Sequence, residues 1–164
     1  MDLVADYLFR PGTGVVARDV AGGTPSATLT GQFITLHDPG VMLVSFSGIG
    51  VDAVRASLDR AIAALRAPLD ESQFTSARDA FEYHILSDLQ TPTELADNFG
   101  WYAVEGNLAY APGANGTAGP YFQAAQSLTP AYVAEVVARY LTKPPVSVTL
   151  VPESKGKSQG ANPQ

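Results

Sequence analysis

An α+β fold, with a mostly antiparallel sheet and helices packed on one face, is what this 164-residue sequence predicts. Two Thr-rich apolar stretches flank a Pro-Gly turn. A run of segments with helical periodicity and capping signals follows. A short alternating stretch then returns near the end.

The elements can be justified in order. Residues 2–9 place Leu3, Val4, Tyr7 and Leu8 at helical spacing, with no side chain suited to capping the start. Pro11 and Gly12 interrupt that pattern, and Val15, Val16 and Val20 resume it as far as Gly22 and Gly23. Two short helices joined by a turn are expected. Residues 26–36 then alternate, with Ala27, Leu29, Gly31 and Phe33 on one face and Thr28, Thr30, Gln32, Ile34 and Leu36 on the other. His37-Asp38-Pro39-Gly40 suits a type II turn, because proline presets φ at its second position and glycine accepts positive φ at its third. Residues 41–49 read as the returning strand of an antiparallel hairpin.

Residues 51–66 form an amphipathic pattern with Val54, Leu58, Ile62 and Leu65 on one face, ended by Pro68. Asp70 and Gln73 make a capping-box pair for a helix reaching about Leu89, with Phe74, Ala77, Phe81, Ile85 and Leu89 as its buried stripe. Thr91-Pro92-Thr93-Glu94 is a second capping box, with proline at the first helical position. That helix carries Leu95, Phe99 and Tyr102 and fades near Gly106. Residues 111–119 read as a loop, followed by a short helix from Pro120 to about Ser127. A last helix starts at Thr129-Pro130 and carries Val133, Val136, Val137, Tyr140 and Leu141 inward, until Lys143-Pro144-Pro145 stops it. Residues 146–151 alternate as a third strand. Residues 1–152 are expected to form one domain and the polar stretch 153–164 a disordered tail. Three strands under about five helices make a thin sheet. Together with the uncapped opening helix, this predicts further strands upstream and an uncovered sheet edge, through which the chain would pair with a second copy or with other chains.

Composition narrows the functions. Apolar residues make up 46% of the chain, enough for a real core. The net charge is −6 and the ten Lys and Arg form no basic cluster, which disfavours nucleic acid. The absence of cysteine excludes disulfides, thiolate metal sites and cysteine nucleophiles. No stretch approaches the roughly 20 apolar residues of a membrane span. Asp2 and Asp6 stand where a signal peptide would carry positive charge, so no signal peptide is expected.

Few residues suggest chemistry. His37 sits in the turn and His84 in mid-helix, so the two histidines do not share a helical turn as zinc ligands do. His84 and Asp88 are four residues apart and read as a surface contact, while Glu82 faces elsewhere. Ser45 and Ser47 alternate with apolar strand residues, and no Gly-x-Ser-x-Gly elbow is present. Gly12 and Gly14 follow no strand and precede no Lys-Ser or Lys-Thr, so they read as turn glycines and not as a phosphate loop. Tyr83, Phe99, Trp101, Tyr102 and Tyr110 could line a groove, though helical spacing favours core packing. Trp101 departs from the stripe. No catalytic or metal-binding residue is assigned.

Four segments, taken in order, resemble the second, non-zinc subdomain of the pitrilysin-type (M16) metallopeptidases, the family of insulinase and mitochondrial processing peptidase. They are ADYLFRPGTGVVARDV, GVMLVSFSGIGVDAVRASLDRAIAAL, PLDESQFTSARDAF and SLTPAYVAEVVARYLTKPPVSVTLVP, and the likeness spans about residues 3–152. The resemblance implies a parent zinc peptidase whose His-x-x-Glu-His site lies in another subdomain, so zinc is expected there and none here. It implies partners too: other subdomains of the parent or a catalytic subunit, and a peptide substrate held as an added strand or against an acidic wall. The family pairs an Arg with a Tyr seven residues on; Arg18 can be laid on that Arg, but the partner position is Pro25, so Arg18 gains no catalytic role. The alternatives are an inactive structural homologue serving as an assembly partner and an unrelated α+β enzyme. A bacterial envelope location is suggested by the resemblance alone.

Overall fold

A computed structural model describes residues 1–21, 26–34 and 40–150. Helices α1 (Asp2–Phe9) and α2 (Val15–Ala21) lead into strands β1 (Thr28–Ile34) and β2 (Val41–Ser47). Helices α3 (Val51–Leu65), α4 (Glu71–Asp88), α5 (Pro92–Val104), α6 (Pro120–Gln126) and α7 (Pro130–Tyr140) follow. A 3-10 turn, Leu108–Tyr110, and a four-residue strand, β3 (Ala114–Thr117), lie within the α5–α6 connection. Among the described residues no helix is long and apolar enough to cross a membrane.

β1 and β2 pair antiparallel, from Thr28↔Ser47 through Gly31↔Val44 to Ile34↔Val41. This register puts Leu29, Gly31 and Phe33 with Phe46, Val44 and Met42 on the covered face. The other face carries a polar ladder, including Thr28 Oγ1 and Ser47 Oγ at 2.8 Å. Helices therefore cover one face only, as the alternation requires. The Pro-Gly turn and His37 fall largely within 35–39, outside the described residues, as do Pro25 and the tail.

The caps formed where the residues called for them. Thr91 and Glu94 make the reciprocal box, with Glu94 N–H donating to Thr91 Oγ1 at 3.2 Å and Thr91 N–H to Glu94 Oε2 at 3.1 Å. Asp70 accepts from Gln73 N–H at 2.8 Å and Thr129 from Tyr132 N–H at 3.2 Å. α1 has no side-chain cap.

The core is centred on α1. Leu8, Phe9, Val16, Phe122 and Val137 are its most enclosed side chains. Phe9 lies directly under Gly31, where a Cβ would overlap the ring. Glycine is required there for close approach, not for its backbone freedom. Gly31→Ala should cost about 1–3 kcal/mol by overpacking, measured as a lower urea midpoint at unchanged slope.

Tyr140, expected on the inner face of α7, is instead exposed, and two larger expectations need correction. Residues 146–150 form no strand. Val146, Val148 and Leu150 are 85–95% exposed, and the segment is tied to α3 by an Arg55–Ser147 hydrogen bond of 2.9 Å. Alternation marks a chain able to pair, but a ladder needs an edge in register, and Pro144-Pro145 offers no backbone donors beside it. The inner stripe of α3 is also rotated. Val54, Ser57, Ala61 and Leu65 are buried, while Leu58 and Ile62 are only half covered and wall a cleft.

Candidate functional site

Helix α1 is nearly all buried, with Leu3, Val4, Ala5, Leu8 and Phe9 inside, yet it carries two carboxylates. The helical repeat sets Asp2, Asp6 and Arg10 along one stripe, and that stripe meets α4 and α6. Each charge there finds a partner. The Tyr121 hydroxyl donates to Asp2 Oδ2 at 3.0 Å. His84 Nδ1 bonds Asp6 at 2.9 and 3.1 Å. Arg10 donates twice to Asp88, at 2.7 and 3.0 Å, the two-pronged geometry that favours guanidinium over ammonium. The sequence reading paired His84 with Asp88. The structure instead gives His84 to Asp6 and Asp88 to Arg10, both 78 residues distant, because α1 lies against α4.

Burial sets the electrostatics. The Tyr121 phenol is pushed far above its ordinary value, first by desolvation and then by the Asp2 carboxylate. Tyr102 is raised to about 12 for the same two reasons in the same order. Arg10 is raised chiefly by its hydrogen bond to Asp88, against the opposing effect of burial.

These groups wall a cleft of about 700 Å³. Three carboxylates, Asp2, Asp6 and Asp88, line it against one guanidinium, that of Arg10. The opposite wall is β1. Five successive residues, Thr30 to Ile34, border the cleft. Successive strand residues point to opposite faces, so the cleft meets the edge of β1, and β1 pairs only with β2 among the described residues. Trp101 and Tyr102 of α5 close the far side. Asn98 lines it as well, and its Oδ1 is buried with no hydrogen-bond partner in the described residues.

The aromatic set behaves differently from the core packing that its spacing suggested. Tyr83, Trp101 and Tyr110 are exposed, and α5 buries no residue completely. Of its residues, Asn98, Trp101 and Tyr102 line the cleft. Arg18 is exposed on α2, and Ser45 and Ser47 lie on the open face of the sheet. Gly12 occupies the turn after α1 at φ 80°. Asp2 and Asp6 were passed over by sequence reasoning, although acidic residues four apart on an otherwise apolar helix were a readable signal.

Among the described residues no three His, Asp or Glu side chains converge as ligands, and Asp6, His84 and Asp88 are already committed to one another and to Arg10. The site offers what binding needs: an unpaired strand edge, an acidic wall and an aromatic flank. Compared with models of known families the chain matches none, and no curated protein matches it.

Proposed function

We propose that this chain is a non-catalytic, peptide-holding domain of a pitrilysin-type zinc peptidase, with zinc and hydrolysis residing in another part of the parent protein. The observation that carries the reading is the edge of β1, unpaired among the described residues, running along an acidic, aromatic-flanked cleft. An extended peptide laid there gains main-chain hydrogen bonds from the edge. Its basic side chains would meet Asp2, which bonds the neutral Tyr121 hydroxyl and makes no ion pair among the described residues, and Asn98 Oδ1 would accept a donor that the described residues do not give it. The segment resemblance supplies the peptidase context.

Trp101 is the only tryptophan and borders the cleft, so it reports occupancy directly. Adding a short Lys- and Arg-containing peptide should shift its emission saturably, with weaker binding at higher salt. Asp2→Asn should loosen binding about threefold to tenfold. The peptide should stay intact, with or without chelator. Chelator-sensitive cleavage by the purified chain would end this reading.

A second reading, an inactive structural homologue serving as an assembly partner, draws on the exposed Val146, Val148 and Leu150. An apolar alternating segment left in solvent is a surface that another chain would cover.

A further inference from the structure

A cleft of the opposite kind lies against the covered face of β2. Between β2, α3 and residues 140–145 lies a space of about 680 Å³. Met42 and Val44 of β2 and Leu58 and Ile62 of α3 give it an apolar floor. Its charged lining is Arg55, Arg66 and Lys143 against Asp59 alone. In a chain of net charge −6, three cations gathered at one cleft are a local reversal of sign. None of the three has a carboxylate within 4 Å among the described residues. Arg55 and Arg66 each donate one hydrogen bond to the rim, to Ser147 Oγ at 2.9 Å and Leu141 O at 3.3 Å. A guanidinium has five N–H groups, so donors remain.

The spacing of the cations specifies a ligand. Arg55 and Arg66 are 11 residues apart, which returns nearly to the same face of the helix, with Leu58 and Ile62 between them. At about 1.5 Å per residue they stand about 16 Å apart. An extended chain covers that distance in about five residues. A single-headed fatty acid could answer only one of two cations so far apart, whereas a polypeptide can set an acidic side chain on each.

We infer that this cleft binds an extended segment of a partner polypeptide, with acidic side chains about five residues apart and apolar residues between them. The acidic groups would meet Arg55 and Arg66, and the apolar ones would cover Leu58 and Ile62. The partner is a different chain. Among the described residues the exposed segment 146–150 reads Val-Ser-Val-Thr-Leu and has no carboxylate. The inference does not depend on the peptidase reading, because the cleft and the sign of its charge are both different.

The test is fluorescence anisotropy with a labelled peptide, two Glu flanking an apolar stretch, titrated with the full chain. Saturable binding is expected, weakened about tenfold in Arg55→Glu/Arg66→Glu. Exchanging Glu for Lys in the peptide should restore binding to that variant, which also shows the variant is folded. Equal binding of a Gln-substituted peptide would overturn the inference, as would failure of the charge swap to rescue. Concentration-dependent dimerisation of the chain alone, lost in Arg66→Gln, would overturn it in favour of a second copy. Trp101 emission should not respond to the acidic peptide, since Trp101 lines the other cleft.

Discussion

Phe9→Ala is expected to cost about 3–5 kcal/mol, the largest single loss from a side chain in this protein. The ring is 1% exposed and fills the space beneath Gly31, so its removal leaves a cavity that a glycine cannot occupy. α1 is fastened to β1 through this contact, and α1 also carries Asp2, Asp6 and Arg10. The loss should therefore appear twice, as a melting temperature lower by about 10 °C and as weaker peptide response at Trp101. Tyr83→Ala is the matched control. That ring is 68% exposed, and its truncation should change stability by no more than about 0.5 kcal/mol. A small loss at Phe9 would mean that α1 is not anchored where the core places it.

Alkaline unfolding is the second large effect. Tyr102 is raised to about 12 and Tyr121 further, both mainly by burial and secondarily by Asp2. Above pH 10 the unfolded chain releases these phenolic protons while the native state keeps them. The unfolded state then binds fewer protons, so stability falls as pH rises. The contribution is complete below about pH 10 and is lost as pH climbs through 12 and beyond. Tyrosinate absorbance at 295 nm, followed with far-ultraviolet dichroism, should show these two phenols ionising together with loss of helix. Tyr102→Phe and Tyr121→Phe should each remove part of that joint step. Ionisation of both near pH 10 with helix intact would contradict the buried position of Tyr121 and its bond to Asp2.

The sequence made the hairpin legible because alternation in 28–34 and 41–47 fixes which side chains face the helices, and a one-residue slip would expose Leu29 and Phe46. It made the helix starts legible because Thr91, Asp70 and Thr129 solve a local problem, the orphan amides of the first turn. It did not reveal the charged cluster. Asp6 meets His84 and Arg10 meets Asp88 across 78 residues, and spacing along the chain carries no information about that approach. The nearer pair, His84 and Asp88, satisfied the local rule and lost to tertiary packing. The strand expected at 146–151 failed for the converse reason. Its alternation is real, but pairing is a property of two segments, and its apolar side chains remain in solvent. Trp101 was singled out for leaving the stripe of its helix, and it lines the cleft beside the stripe residue Tyr102.

Amide hydrogen exchange at β1, with and without a saturating basic peptide, reaches the heart of the matter. If a ligand strand adds to this edge, alternate amides among residues 30–34 should slow markedly while those bonded to β2 change little. Uniform exchange along β1 under saturation would mean that whatever binds does not bind as a strand, and the peptide-holding role would have to be abandoned.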